Sequence, residues 1–320
     1  MRILILGYSK IVRKRVLPAL LKIPEISSID IASESCAAKV SLEHKSKGAI
    51  YDDYDKAFSE SRAQLIYIST INSMHNRLVS KALRRGLHTI VDKPAFTSFE
   101  AAKKSIDFAK KSKLCLAEAT VYAYHQQIQS IFDIFKRAKD APRRLTAVFS
   151  FPPMEPGNFR YYRQLGGGAL WDLGPYAVSL GRVFFNHERP IKIFSQVCSK
   201  GGKNKIDISF SVSALYSEGR SMVGNFGFDT GYRNHLNILG QDLSVSLDRV
   251  FSTPADLENE IRISQGRENS IMKVPKSDSF LNFLKSVLSG IRLGSFSDFS
   301  KAVLSDALAL DTLRKVAQGG

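Results

Sequence analysis

Over the first 120 residues short apolar runs alternate with helical patterns, and this alternation leaves few folds open to the chain. Ile3-Leu4-Ile5-Leu6 reads as a strand. Ile11, Val12, Val16, Leu17, Leu20 and Leu21 then recur at helical spacing, and Ile29 to Ala32 form a second strand, which completes a βαβ unit. Leu65–Ser69, His88–Val91 and Leu114–Ala117 continue the strand series, with helical segments at Asn76–Arg85 and Phe99–Lys111 between them. Crossovers of this kind put helices on both faces of a sheet, so the fold class is α/β with a doubly wound parallel sheet.

After about residue 145 the pattern changes. Leu145–Phe151, Ile191–Val197, Ile206–Leu215, Ser221–Phe228 and Leu236–Leu247 read as strand-like runs, several joined by short glycine-containing links, which predicts an α+β domain with an open, mainly antiparallel sheet. Helices are expected at 279–290 and 298–317. A chain of 320 residues exceeds what one core usually spans, roughly 250–300 residues, so the change marks a domain boundary, with domains at 1–120 and 121–320.

The composition, 44% hydrophobic and 24% charged, is that of a globular chain and excludes disorder, collagen and coiled coil. No apolar run approaches the roughly 18–20 residues of a membrane span, and the opening MRILILGYSKIVRKR places its basic run after the apolar one, the reverse of a signal peptide. The expectation is a cytoplasmic protein with no membrane partner. Cys36, Cys115 and Cys198 are widely spaced and form neither a disulfide framework nor a metal clip, and no His/Cys/Glu cluster has metal spacing, so buried or idle thiols and no metal are expected. The net charge of +16 is uneven: residues 1–150 carry 26 Lys and Arg against 14 Asp and Glu, and residues 151–320 carry 20 against 16. Most of the excess falls where helices would present solvated faces. The rest suits anionic small molecules, because no nucleic-acid recognition motif accompanies it.

Three stretches carry chemistry. The first is the turn Gly7 to Val12, with Gly7, Tyr8, Ser9 and Ile11 as candidate dinucleotide contacts. A dinucleotide turn uses glycines for tightness, for close approach of the pyrophosphate and for helix packing; here only Gly7 remains, with Ser9 and Val12 in the later glycine places. Ser33 and Glu34 close the next strand 21 and 22 residues after Val12, near the spacing at which the ribose is read. Pro18 falls inside the first helical pattern, where it is expected to kink the helix or cost about 3 kcal/mol.

The second stretch is VDKPAF, Val91 to Phe96, which puts Asp92 and Lys93 at a strand's C-terminal end, where open α/β sheets place ligands. Lys93 there suits acid/base work, and Pro94 fixes the next turn and is a candidate for a cis bond. The third is residues 158–178, NFRYYRQLGGGALWDLGPYAV. Gly166 to Gly168 permit backbone approach to a ligand, and a helix starting just after them would put Asp172 and Tyr176 at i and i+4 on one face, though Pro175 requires a later start. Arg160 and Arg163 flank the glycines as candidate phosphate clamps. His75 suits a role at the loop after the fourth strand, whereas His125 and His235 stand alone and fit structural roles. Neither a GxSxG elbow nor a P-loop lysine motif is present, which argues against hydrolase and ATPase chemistry.

Taken together, Asp92-Lys93-Pro94, the loop Thr70, Ile71, Asn72 and His75, and Gly166–Tyr176 resemble, in order, the Glu-Lys-Pro element, the Thr-Pro-Asn-x-x-x-His element with one residue fewer, and the GGGxxxDxGx(H/Y) element of the glucose-fructose oxidoreductase/inositol dehydrogenase (Gfo/Idh/MocA) family. The resemblance covers nearly the whole chain. Within the family, GYSKIVRKRVLPAL and Tyr176 look most like the nucleotide-sugar ketoreductases of deoxysugar pathways. Asp92 stands where Glu is usual, Ile71 where Pro is usual, and Glu34 follows Ser33 where NADP-using members often carry an arginine.

The resemblance implies an N-terminal Rossmann domain, a C-terminal sheet domain through which the chain forms a homo-oligomer, and hydride transfer between NAD(P) and a sugar-like substrate. It implies that Gly7, Tyr8, Ser9, Ile11, Ser33, Glu34, Thr70, Asn72, His75, Asp92 and Lys93 contact the cofactor. Arg160, Arg163, Asp172 and Tyr176 contact the substrate, and Lys93, Asp172 and Tyr176 carry the catalysis. Reduction of a keto group on a nucleotide-linked sugar is the leading expectation; a free polyol or sugar dehydrogenase and a non-catalytic dinucleotide-binding protein of the same fold are the alternatives.

Overall fold

The structure is a computed structural model and describes residues 1–34, 48–201 and 205–319. The chain divides into two compact units, Met1–Ala119 with Phe280–Ala307 and Thr120–Ser279 with Leu308–Gly320.

In the first unit, strands β1 (Arg2–Leu6), β2 (Ser28–Ala32), β3 (Ile50–Tyr51), β4 (Leu65–Ile68), β5 (His88–Val91) and β6 (Leu116–Glu118) form a parallel sheet in the order β3-β2-β1-β4-β5-β6. This is the doubly wound order whose direction reverses between β1 and β4, so ligands bind beyond the C-terminal strand ends at that point. The strands are buried on both faces, as Ile3 to Leu6 and Leu65 to Ile68 show, which is why they read as continuous apolar runs. Helices Asn72–Arg84 and Phe99–Lys111 each bury one stripe, Leu78, Val79, Ala82 and Leu83 in the first and Ala102, Ile106 and Ala109 in the second.

Three details depart from the sequence expectation. The short β3 and the helix Tyr54–Glu60, capped by Asp53, went unread because two-residue strands carry no periodicity. The last strand starts two residues later than expected. Pro18 does not sit in the interior of one α-helix: Val12–Val16 is a π-helical turn in which the Leu17 amide bonds back to the Val12 carbonyl, and Pro18 then occupies the first turn of Leu17–Leu20, where its missing N–H is tolerated.

The second unit holds β7 (Arg144–Ser150), β8 (Lys192–Gly201), β9 (Ile206–Leu215), β10 (Ser221–Gly227), β11 (Arg233–Leu239), β12 (Leu243–Asp248), β13 (Asn259–Gln265) and β14 (Glu268–Val274) in the order β14-β13-β12-β11-β7-β10-β9-β8. The pair β7 and β10 is parallel and the other pairings are antiparallel. Alternate residues such as Leu145, Ala147, Leu236, Ile238, Val245 and Leu247 are buried in one cluster with Ile128, Ile131, Leu180 and Phe184 from helices Gln126–Arg137 and Gly174–Phe184. The other residues, Ser, Thr and Asn among them, make the alternating pattern of a sheet with one open face.

The expected single run Leu236–Leu247 is two strands. Its turn is fixed by Asp140, whose carboxylate accepts from the amides of Gln241, Asp242 and Leu243, and a Cβ on Gly240 would strike that carboxylate. The hairpin β13–β14 was missed because its apolar positions are few, Ile261 and Ile263 in β13 and Ile271, Met272 and Val274 in β14, beside the polar Glu268, Asn269 and Ser270. The expected second domain, 121–320, also needs correction, since Phe280–Ala307 belong to the first unit. Arg15 stacks on Phe280, Phe296 meets His88 edge to face at 6.0 Å, and Val303 joins the cluster of Leu78 and Val79. An amphipathic helix shows in sequence that it has an apolar face, not which sheet covers it.

Candidate active site

At the switch point of the first unit, Gly7 follows β1 with φ +90°, and any Cβ there would collide with the Ser69 carbonyl, so this glycine is required by the neighbouring strand end. Ser9 begins the next helix. Its Oγ accepts from the Val12 amide at 3.1 Å and lies 2.8 Å from Ser69 Oγ. Ser69 Oγ donates to Asp92 Oδ2 at 2.5 Å, and Tyr67 Oη donates to Asp92 Oδ1 at 2.7 Å. Asp92 is thereby held by two hydroxyls from β4 and its end. Burial, then the Asp92 charge, push the Tyr67 phenol well above its ordinary value, so it remains a donor.

Lys93 is half-buried and precedes Pro94 through a cis bond. The strands position this loop from both sides: Glu118 Oε2 at the end of β6 accepts from the Ala95 amide at 2.7 Å, and His75 Nδ1 lies 2.8 Å from the Pro94 carbonyl while its Nε2 lies 3.1 Å from the Thr70 carbonyl. His75 is fully buried and touches backbone on both sides, so it ties the loops after β4 and β5 together rather than presenting a ring to a ligand. Burial lowers its pKa against the opposing pull of the two carbonyls and Asp92. Thr70 and Asn72 stand at the start of helix Asn72–Arg84 with Asn72 buried. Tyr8 is buried beneath the Arg13 guanidinium at 5.8 Å, and Ile11 is exposed. Ser33 is buried, with its amide on the Tyr51 carbonyl, and Glu34 is exposed. Cys36 lies outside the described residues. Cys115 is buried with its thiol pushed up to about 12 by desolvation, an inert sulfur, and Cys198 is exposed.

In the second unit, Arg160 Nε donates to Asp172 Oδ2 at 2.6 Å. Burial opposes the Arg160 charge, but Asp172 and then Tyr176 outweigh it and raise its pKa. Asp172 and Tyr176 do not share one helix as the sequence pattern suggested: Ala169–Asp172 ends at Leu173 and Gly174–Phe184 begins anew with Pro175 in its first turn. They nevertheless act on one residue, because Asp172 pairs with Arg160 and Tyr176 lies within electrostatic reach of it. Tyr176 sits among the rings of Phe149, Phe251 and Tyr122 at 5.1, 5.3 and 6.1 Å.

The glycine run has an internal use. A Cβ on Gly167 would stand 2.5 Å from the Arg160 carbonyl oxygen and one on Gly168 would stand 2.6 Å from Asp207, whose carboxylate accepts from the Leu170 amide at 2.6 Å. Gly166 to Gly168 thus let the chain fold back on residues 159–163, with Gly167 and Gly168 amides on the Tyr162 and Arg160 carbonyls. Arg160 is committed to Asp172 through Nε, whereas Arg163 is exposed. Arg163 also feels Arg314, which lies 3.4 Å over the Trp171 ring and whose pKa is brought down to about 10, chiefly by burial. Sequence reading passed over Tyr67, Ser69, Glu118 and Arg314. Ser69, at the end of a strand pointing into the switch point, carried the one positional signal.

Residues 1–120 match the NAD-binding Rossmann-fold domain of the Gfo/Idh/MocA oxidoreductases, and residues 140–246 match the Gfo/Idh/MocA C-terminal domain. The chain belongs to the Gfo/Idh/MocA family of NAD(P)-dependent oxidoreductases. It is 26% identical over 308 residues to the dTDP-3,4-didehydro-2,6-dideoxy-alpha-D-glucose 3-reductase of Saccharopolyspora spinosa, covering 96% of this chain and 92% of that protein. It is 25% identical over 250 residues to D-xylose 1-dehydrogenase (NADP(+)) 2 of Haloferax volcanii, covering 78% of this chain and 76% of that protein. In fold it is similar to the 3-ketoreductase KijD10 of Actinomadura kijaniata, whose crystal structure is in complex with NADP and TDP-benzene, with a TM-score of 0.91, 22% identity and coverage of 99% of this chain and 98% of that one. Among the described residues no group of three His, Cys, Asp or Glu is placed to hold a metal, and no helix is long and apolar enough to cross a membrane.

Proposed function

We propose that this oxidoreductase reduces the 3-keto group of a nucleotide-linked deoxysugar with NAD(P)H. The observation that carries the reading is the similarity over 96% of the chain to a dTDP-sugar 3-reductase in a protein that also presents Lys93 and the Arg160–Asp172–Tyr176 group. The first unit fits a dinucleotide: the sheet order reverses beside Gly7, whose positive φ makes the tight turn there, and the first-turn amides of the following helix are the usual seat of a pyrophosphate.

The bound nicotinamide supplies hydride to the carbonyl carbon. The chain's residues manage the proton and the orientation. As the carbonyl oxygen gains negative charge, Tyr176 Oη gives it a proton, helped by the Arg160 cation, which favours the tyrosinate left behind. Asp172, paired with Arg160, accepts a hydrogen bond from a sugar hydroxyl and orients the sugar. Lys93, at the end of β5, serves as a second acid/base group in the reaction. Exposed Arg163 suits the diphosphate of the nucleotide. His75, Thr70 and Asn72 shape the loop that would hold the cofactor.

We also propose that the enzyme is cytoplasmic, where its three separated cysteines stay reduced, and that it self-associates through the open face of the second sheet, where Phe194, Val223 and Ile271 are exposed. Neither a membrane nor nucleic acid is needed as a partner.

The D-xylose dehydrogenase similarity favours a second reading, a free-sugar dehydrogenase. Comparing kcat/KM for a dTDP-linked 3-keto sugar with that for the free keto sugar separates the two. The proposal expects a preference of at least ~100-fold for the linked substrate, the scale of a lost charged diphosphate contact. Equal rates would overturn it in favour of the second reading.

A further inference from the structure

We infer that this chain holds its dinucleotide turn with a directed hydrogen-bond chain in place of the missing glycine, and that Ser9, Ser69, Asp92 and Tyr67 are positioning residues for the cofactor. The inference rests on the proposed use of NAD(P)H and deepens it. Its starting point is hydroxyl arithmetic. A serine has one proton to donate. Ser69 gives its proton to Asp92 Oδ2, so in the contact between Ser9 and Ser69 the donor is Ser9. Ser9 Oγ then has its lone pairs left for the Val12 amide, 3.1 Å away. The order is therefore Val12 N–H to Ser9, Ser9 O–H to Ser69, Ser69 O–H to Asp92, with Tyr67 O–H completing the carboxylate from the other oxygen.

Two consequences follow for the cofactor. The Ser9 hydroxyl proton is used inside the protein, so Ser9 has none left to donate to a phosphate; it caps the helix at the third amide and leaves the amides of Lys10 and Ile11, the first two positions of the turn, for the pyrophosphate. In a glycine turn the second glycine exists to let the phosphate reach the backbone. Here the same backbone is presented by being anchored at Ser9, and the anchor ends on the residue directly before Lys93. Asp92 is the shorter acid in a place where the family has glutamate, and its two oxygens are satisfied by Tyr67 and Ser69. The turn that would seat the pyrophosphate and the loop bearing Lys93 are thus fixed to one carboxylate, which sets the distance between these two protein segments.

The decisive variants are Ser9→Gly, which restores the family residue, Ser9→Thr, which keeps the hydroxyl, and Ser69→Ala. Binding of NADPH and NADH to the full-length protein is read by nicotinamide fluorescence, alongside kcat at saturating cofactor and the melting temperature. The inference expects Ser9→Gly and Ser69→Ala each to weaken cofactor binding by roughly tenfold, the scale of a lost hydrogen bond to a charge-terminated chain. Ser9→Thr should bind like the wild type. The double variant Ser9→Gly/Ser69→Ala should be no worse than either single one, because both break the same chain.

If Ser9→Gly binds cofactor as well as or better than the wild type, or the double variant loses the product of the two single losses, the inference is overturned. Should Ser69→Ala fail to fold, the Ser9 pair decides alone. A wild type that binds NAD(P)H but reduces no nucleotide sugar would overturn the proposed substrate and leave this inference standing; a wild type that binds neither nicotinamide would overturn both.

Discussion

Arg160 and Asp172, twelve residues apart and on either side of three glycines, form an ion pair of 2.6 Å whose carboxylate partner keeps only 8% of its surface exposed. The pair turns two residues that sequence alone assigned separately, one to a phosphate and one to a sugar, into a single unit with Tyr176 at its edge. Breaking it is predicted to be asymmetric. Arg160→Gln strands a buried carboxylate and should lower the unfolding free energy toward the lower end of the roughly 3–5 kcal/mol seen for broken buried pairs. Asp172→Asn leaves a guanidinium with 28% exposure that reaches water, so its loss should be smaller, and it should raise the substrate KM more than it lowers kcat. Denaturant unfolding of both variants checks this; a larger loss for Asp172→Asn would contradict it.

Cofactor choice is predicted from Glu34, which closes the second strand and is exposed. Its carboxylate repels a ribose 2′-phosphate and accepts a hydrogen bond from a free ribose hydroxyl, although the KijD10 complex holds NADP. NADH should bind at least as tightly as NADPH, and Glu34→Arg should shift preference toward NADPH. Titration of both nicotinamides against both proteins tests it, and a wild type with far tighter NADPH binding would refute the role given to Glu34.

Stability is predicted to fall on mild acidification. His75 and His88 both have pKa values lowered from the ordinary 6.5, in each case chiefly by burial. The unfolded chain therefore takes up protons before the native one does. Their contribution is intact above the unfolded value and is lost as pH drops below it, ahead of the carboxylates, which titrate near ~4. Melting temperatures measured between about pH 7.5 and 5.5 should decline, and His88→Gln, away from the cofactor loops, should flatten part of the slope. A melting temperature that is level or rises over that window would contradict the assignment.

The parallel sheet was legible because its strands are buried on both faces and so read as uninterrupted apolar runs; Ile3 to Leu6 needed no further information. The hairpin β13–β14 was illegible because it carries few apolar residues: β14 opens with Glu268, Asn269 and Ser270, and β13 offers only Ile261 and Ile263. Lys93, Asp172 and Tyr176 could be picked from motif position. What could not be read was how they are held. The contact of Asp92 with Tyr67 spans 25 residues and that of Ser9 with Ser69 spans 60, and no local pattern encodes such pairs. The glycine run shows the same limit: its spacing suggested a ligand, while its nearest neighbours are the Arg160 carbonyl and the Asp207 carboxylate.

The central claim is that the second unit's Tyr176 delivers the proton for reduction of a nucleotide-linked keto sugar, and single-turnover hydride transfer tests it most directly. Enzyme loaded with reduced nicotinamide is mixed with a dTDP-linked 3-keto sugar, and loss of the cofactor's absorbance is followed for wild type, Tyr176→Phe and Lys93→Met. The phenyl ring preserves the packing against Phe149 and Phe251, so only the hydroxyl is lost. The account predicts that Tyr176→Phe slows transfer by roughly 10²–10⁴, the usual range for a lost general acid, with cofactor affinity within a few-fold of wild type. Lys93→Met should fall by a comparable factor. Transfer by Tyr176→Phe at the wild-type rate would contradict it, and would leave Lys93 or water as the donor.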